Sequence, residues 1–298
     1  MVTLNPLSPS ISDYQHQLAT RVPLRQGGSR APRPTVSEGY RPWITMITVT
    51  FNAEATLTKT IDSIIAQDYP NLEYLVIDGG STDSTLEILQ RYDSHITHWR
   101  SEPDQGLYDA MNKGISLSQG DIIGLLNAGD ILAPESFQNI VQAYDMTQKA
   151  AVYTGDCQVF LSDHYSSIEL GNPEKLPKRM IPHSSVFVDK KIYIEQGFFS
   201  LSYKAASDYD FLYRCYQVGV PFHYLPKTLT IAEPRGVSGN YYQAESEFFQ
   251  IRWRYRVLPP WQTVRLTLIS YLSISVHLTL KFFKVWHYIE EIRYASPR

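Results

Sequence analysis

The sequence predicts an α/β fold: a mostly parallel central sheet, a smaller mixed sheet continuing it, and helices at the C-terminal end. Three observations carry this expectation. β-branched runs alternate with helical stripes from Trp43 onward, the later half breaks into short strands between loops, and a long apolar stretch lies near the end of the chain. With 298 residues, 43% of them apolar and 13% aromatic, the chain has enough apolar surface for one large core.

Residues 1–42 contain no apolar segment of the signal-peptide kind and are rich in Pro, Ser, Gly and Arg, so they read as a disordered leader. "WITMITVTF" (Trp43–Phe51) is a strand, and after "NAEA" the residues Leu57, Ile61, Ile64 and Ile65 share one helical stripe. "LEYLVID" (Leu72–Asp78) is the next strand and "TLEILQRY" the next helix. Strand, helix, strand, helix gives parallel pairing through crossovers. "HITHWR" and "GDIIGLL" are further strands, separated by the helical "LYDAMNKGISLS". From about residue 151, "AAVYTGDCQVF", "SSVFV" and "TLTIAE" read as strands and "ASDYDFLYRCYQVG" as a short helix. The expected organisation is a globular domain over 43–240, divided into halves at 43–150 and 151–240, and a basic, apolar helical tail over 241–298.

Charge is unevenly distributed. The net charge is -3, yet residues 43–240 hold 14 Lys and Arg against 24 Asp and Glu, while both ends carry an excess of bases. So acidic a core excludes nucleic acid as a partner, because that binding depends on cations neutralising phosphates. An anionic ligand would need a cation to accompany it. The two cysteines, Cys157 and Cys215, stand far apart in no metal-binding spacing and read as core residues of a reducing compartment.

Ligands of open parallel sheets bind at the carboxyl ends of the strands. That edge collects Thr50, Asn52, Asp78, Asp104, Asn127 and Asp130. In "VIDGGSTDST", Asp78 ends a strand, two glycines allow a close approach, and Ser81, Thr82 or Asp83 can cap the next helix. Neither GxGxxG nor GxxxxGK[ST] occurs, which excludes the common dinucleotide and phosphate-loop modes. In "SEPDQGLYDAMNKGISLSQGD", Tyr108 and Asn112 share a face near the start of a helix, and Lys113 beside it suits a phosphate; an ordinary capped helix would look similar. "LNAGD" ends a buried strand on Asp130, either an oxygen ligand for Mg²⁺ or Mn²⁺ or a helix cap.

The ordered set "TVTFNAE", "TIDSIIAQDYPNLEYLVIDGGSTDST", "EPDQGLYDAMNKGI" and "SQGDIIGLLNAGD" resembles the family-2 inverting glycosyltransferases, in the branch of bacterial colanic-acid and other surface-polysaccharide transferases, over about residues 44–235. The resemblance implies a single GT-A-like, Rossmann-like domain, a nucleotide-sugar donor and a divalent metal, Mg²⁺ or Mn²⁺. It puts Thr50, Asn52, Glu54 and Asp78 in the nucleotide pocket. Asp104, Tyr108, Asn112 and Lys113 would then face ribose, diphosphate and sugar, with Asn127 by the sugar or ribose and Asp130 on the metal. Gly129 stands where the family commonly has a second metal-binding acid, and Gly79 replaces the second acid of the common "DDG". The donor's base thus stays open among UDP-, GDP- and dTDP-sugars. Asp208 in "ASDYDF" falls on the family's general base, with Ser207 where a Glu often stands and Asp210 as a structural first-turn acid. His183 in "IPHSSVF", starting a strand, and Arg235 in "EPRGVSG" are acceptor-side candidates. A nucleotidyltransferase, or an inactive sugar-nucleotide-binding relative, is the alternative.

In the tail, "LTLISYLSISVHLTL" (Leu266–Leu280) runs without Asp, Glu, Lys or Arg between basic flanks containing Trp253, Trp261 and Trp286. It is short for a membrane span and suits a helix lying in a membrane interface, which would bring a peripheral enzyme to a polyprenyl-linked or other saccharide acceptor on the inner face of the cytoplasmic membrane. A helix pair packed on the core or in an oligomer contact is the other reading.

Overall fold

The computed structural model describes residues 11–20, 23–29, 41–147, 150–162, 165–232, 241–256 and 258–282. In chain order its elements are α1 (Ile11–Thr20), β1 (Arg25–Gly27), β2 (Ile44–Thr50), α2 (Leu57–Ile65), β3 (Leu72–Asp78), α3 (Thr85–Arg91), β4 (His98–Ser101), α4 (Leu107–Leu117), β5 (Ile122–Asn127), β6 (Ile131–Leu132) and α5 (Ser136–Thr147). The second half adds β7 (Val152–Ser162), β8 (Tyr165–Glu169), β9 (Val186–Asp189), α6 (Lys190–Gln196), α7 (Ser207–Gln217), β10 (Phe222–Ala232), α8 (Tyr241–Tyr255) and α9 (Pro260–Phe282).

Every residue of β2 is buried, as a strand covered on both faces requires. It pairs in parallel with β3 on one side and β5 on the other, and β4 extends the parallel block beyond β3. The full sheet runs β1-β4-β3-β2-β5-β9-β7-β10-β6, with β8 alongside β7. β9 pairs antiparallel with both β5 and β7, so it joins the parallel first half to the mixed second half. Side-chain alternation divides the core between the two faces: Ile47 and Val49 of β2 pack with Met111, Ile115 and Phe211, while Ile44 and Met46 pack with Ile61, Ile64, Leu89 and Phe137. The expected α/β class and the mixed continuation are borne out, and both cysteines are buried and unpaired.

Two described stretches of the N-terminal segment depart from a disordered leader. α1 seats Tyr14 and Leu18, one turn apart and both buried, against the domain. The Tyr14 hydroxyl donates to Asp109 Oδ1 at 2.8 Å and accepts from Asn112 Nδ2 at 3.3 Å, both on α4. β1 adds an antiparallel edge strand to β4, with Gln26 opposite Arg100. Composition gave no sign of this, because two well-placed apolar side chains and a strand edge are enough to order a polar segment.

α6 was also not expected. Asp189 caps it by accepting from the Lys191 N–H at 2.9 Å, and Gly197 ends it. In the tail, α8 is fixed to the domain: the Glu247 carboxylate accepts from the N–H groups of Lys204 and Ala205, and Arg252 pairs with Glu245 while donating to Lys178 O. α9 folds back on α8, with the rings of Tyr242 and Tyr271 stacked 5.8 Å apart.

Candidate active site

Strand register brings the candidate residues to one edge. Thr50 at the end of β2 lies opposite Asp78 of β3, and Val49 lies opposite Asn127 of β5. The chains leaving these strands build the site. Phe51 follows β2 and is 62% exposed. A Cβ on Gly79 would come within 2.6 Å of Asp104 Oδ2, so Asp104 occupies the space that an acid at position 79 would need. Burial raises the Asp104 carboxyl above its ordinary range, opposed by a hydrogen bond from the Gly106 N–H and by the nearby Lys113 charge.

Asp208, on the first turn of α7, comes to the same edge from the second half of the chain. Its Oδ1 accepts from the Tyr108 hydroxyl at 2.9 Å and from the Tyr209 N–H at 2.9 Å. Its Oδ2 faces His183 Nδ1 at 3.5 Å, and His183 Nε2 in turn lies 3.1 Å from Asn127 Nδ2. Burial and the Asp208 carboxylate hold the Tyr108 phenol well above its ordinary value, so it remains protonated as a donor. His183 lies in a short 3₁₀ turn (His183–Ser185) ahead of β9 rather than within a strand, and this turn sets its ring between Asp208 and Asn127. Asp210 points away: it is fully buried between Arg214 and the Tyr255 hydroxyl, as a structural acid.

The turn Asn127–Asp130 is held by the Asp130 N–H donating to Asn127 O at 3.0 Å. Gly129 sits in it at φ 113°, a conformation that disfavours any side chain, and this accounts for the missing acid at that position. Thr60 of α2 clamps the turn, its hydroxyl accepting from the Gly129 N–H and donating to Asp130 O. Sequence did not single out Thr60 or Phe51; it read Phe51 as the last residue of a strand, whereas β2 ends at Thr50.

The Asp130 carboxyl is raised to about 6 by burial, opposed by His183. Asn127 Oδ1 and Thr50 Oγ1 are buried without a hydrogen-bond partner. Among the described residues no group of three His, Cys, Asp or Glu forms a metal site. A desolvated carboxylate and an orphaned amide oxygen on one turn nonetheless fit a hard cation that takes few protein ligands and completes its shell with phosphate and water.

Several residues expected to face the donor make hydrogen bonds within the protein. Asp78 is fully buried, and its carboxylate accepts from the N–H groups of Gly80 and Ser81 and the hydroxyls of Ser81 and Ser101, so it braces the loop after β3. Asn52, at φ 49°, accepts from the Thr82 N–H, and Glu54 accepts from the Ser84 N–H, tying the loops after β2 and β3 together. Asn112 is buried, exchanging hydrogen bonds with the Phe199 backbone at 2.9 and 3.0 Å. Lys113 is 1% exposed, with its ammonium 3.2 Å from Glu102 and 3.3 Å from Asp109, and it donates to Pro103 O. Its one-turn spacing from Asp109 draws it into this pair and away from a diphosphate. Lys113→Met would leave buried carboxylates uncompensated, so it is expected to cost about 3 kcal/mol in urea unfolding without weakening nucleotide-sugar binding by the folded fraction. Arg235 lies outside the described residues.

The fold and its relatives define a glycosyltransferase of GT-A-like architecture. Residues 45–191 match the family described as Glycosyl transferase family 2. A Mycobacterium tuberculosis glycosyltransferase of uncharacterized activity is 31% identical over 186 residues, covering 60% of this chain and 71% of that protein. A PGL/p-HBAD biosynthesis glycosyltransferase of Mycobacterium bovis is 28% identical over 179 residues, covering 59% of this chain and 70% of the relative. Among solved structures, S. aureus TarS 1-349 in complex with UDP-GlcNAc superposes with a TM-score of 0.62 at 17% identity, covering 82% of this chain and 78% of that one. The chain spans 42% of a longer TarS structure. A mannosyltransferase of Pyrobaculum calidifontis in complex with GDP-Man and Mn²⁺ superposes with a TM-score of 0.59 at 16% identity, covering 89% and 81%. The chain belongs to glycosyl transferase family 2.

Proposed function

We propose that this family-2 enzyme transfers a sugar, with inversion, from a nucleoside-diphosphate donor to a hydroxyl of a saccharide or lipid-linked saccharide in surface-polysaccharide synthesis. The observation that carries the reading is the chain of contacts Tyr108–Asp208–His183–Asn127, which draws an acid of the second half to the donor edge of the first. Among the described residues Asp208 Oδ2 meets only the His183 ring, at 3.5 Å, which leaves it open to an acceptor hydroxyl. Asp208 takes the hydroxyl proton while the acceptor oxygen bonds to the anomeric carbon and the bond to the diphosphate breaks on the opposite face. Tyr108 fixes the base through Oδ1. Asp130 and Asn127 would hold Mg²⁺ or Mn²⁺, which supplies charge stabilisation to the departing diphosphate.

At the other end of the donor, the exposed Phe51 ring offers a stacking face, and Asp104 offers an acceptor to a base with an imide-type N–H. This favours uracil, thymine or guanine over adenine or cytosine, consistent with the UDP-GlcNAc and GDP-Man of the structural neighbours. No helix among the described residues is long and apolar enough to cross a membrane, and the tail suits peripheral attachment near a lipid-linked acceptor. Incubating the protein with UDP-, GDP- and dTDP-sugars and Mn²⁺ is expected to release nucleoside diphosphate from one of them. Pyrophosphate release, or no binding of any donor, would overturn the reading.

A further inference from the structure

α9 turns large apolar side chains outward. The face it turns toward α8 buries Thr263 and Thr267, while Trp261, Val264, Leu268, Ile269, Leu272 and Val276 are exposed, Leu268 and Leu272 at 64% and 67%. Their spacing of three, four and seven residues puts them on one stripe along the helix, with the exposed Arg265 among them. So large an apolar face marks an interaction surface.

Charge selects its partner. Residues 248–282 contain no Asp or Glu, and Arg256, just after α8, and Arg265, in the second turn of α9, are exposed, as are Trp253 and Trp261; Arg254, also exposed, bonds to Tyr203. The two nearest carboxylates on α8, Glu245 and Glu247, are buried and spent on Arg252 and on backbone N–H groups. A second copy of the chain would set like charges against each other. An anionic surface would be attracted to this hairpin and repelled by the acidic core over 43–240.

We infer that the exposed face of α9 docks flat into the interface of an anionic phospholipid bilayer, with Arg256 and Arg265 contacting lipid headgroups. The inference deepens the membrane-surface part of the proposed function and rests on it there alone, independent of the donor chemistry. The full-length protein is sedimented with vesicles of phosphatidylglycerol and phosphatidylethanolamine and, separately, of phosphatidylcholine alone. Binding at least about tenfold stronger to the anionic vesicles is expected. The paired change Leu268→Glu and Leu272→Glu should abolish it, and Arg256→Glu with Arg265→Glu should reduce it to the phosphatidylcholine level, while thermal stabilisation by nucleotide sugar is unchanged in both. Equal sedimentation of wild type and the paired leucine variant would overturn the inference. So would a wild-type dimer in light scattering that fails to bind vesicles and becomes monomeric in that variant. Loss of donor response in wild type would count against the proposed reaction and leave vesicle binding to be judged by itself.

Discussion

Asp208→Asn is expected to lower kcat by about 10²- to 10⁴-fold, the usual range for loss of a general base, while leaving the donor's half-saturating concentration nearly unchanged. The amide keeps the shape of the carboxylate and can still accept from the Tyr108 hydroxyl, so the fold and the donor edge should survive. Initial rates of nucleoside diphosphate release, with and without a saccharide acceptor, measure this. A variant retaining wild-type kcat would remove Asp208 from the chemistry and leave it as the acceptor of the Tyr108 hydrogen bond.

Asp130→Asn should separate stability from activity in opposite directions. Burial raises the Asp130 carboxyl from 3.8 to about 6, so the folded chain holds this proton more tightly than the unfolded chain. The resulting stabilisation is complete below the unfolded value and is lost as pH rises through about 6, so at pH 7 the ionised group is a net cost. After screening at a half-buried site that cost is about 1–2 kcal/mol, and the amide is expected to raise the Tm of the metal-free protein by about 3–6 °C. Nucleotide-sugar turnover should fall sharply in the same variant. In wild type, the Mn²⁺ concentration needed for half-maximal turnover should rise about tenfold for each pH unit below about 6, because the cation competes with one proton. A pH-independent Mn²⁺ requirement would place the cation elsewhere.

The central architecture was legible because buried parallel strands announce themselves: Ile44–Thr50, Leu72–Asp78 and Ile122–Asn127 are runs rich in β-branched and other apolar residues, with helical stripes between them. The short α6 and the edge strand β1 were not, since a few residues carry too little periodicity to be recognised. At the site, sequence pointed to Asn127 and Asp130 at the strand edge and to Tyr108 and Asp208 through the resemblance, and contacts through His183 link Tyr108, Asp208 and Asn127. It could not show how a polar side chain is used. Asp78, Asn112 and Lys113 lie in the stretches that build the edge, yet their atoms are spent on backbone groups and buried partners. Hydrogen-bond saturation depends on loops that fold back from distant positions, such as Phe199 reaching Asn112, and no local pattern encodes it.

Tyr108 and Asp208 are joined by one hydrogen bond although 100 residues separate them along the chain. Grafting a foreign second half onto this first half would therefore keep the contact only if the incoming piece delivered its acid within reach of that phenol. Natural recombination among such enzymes faces the same matching condition, so shuffled specificity would travel with conserved geometry at a single tyrosine.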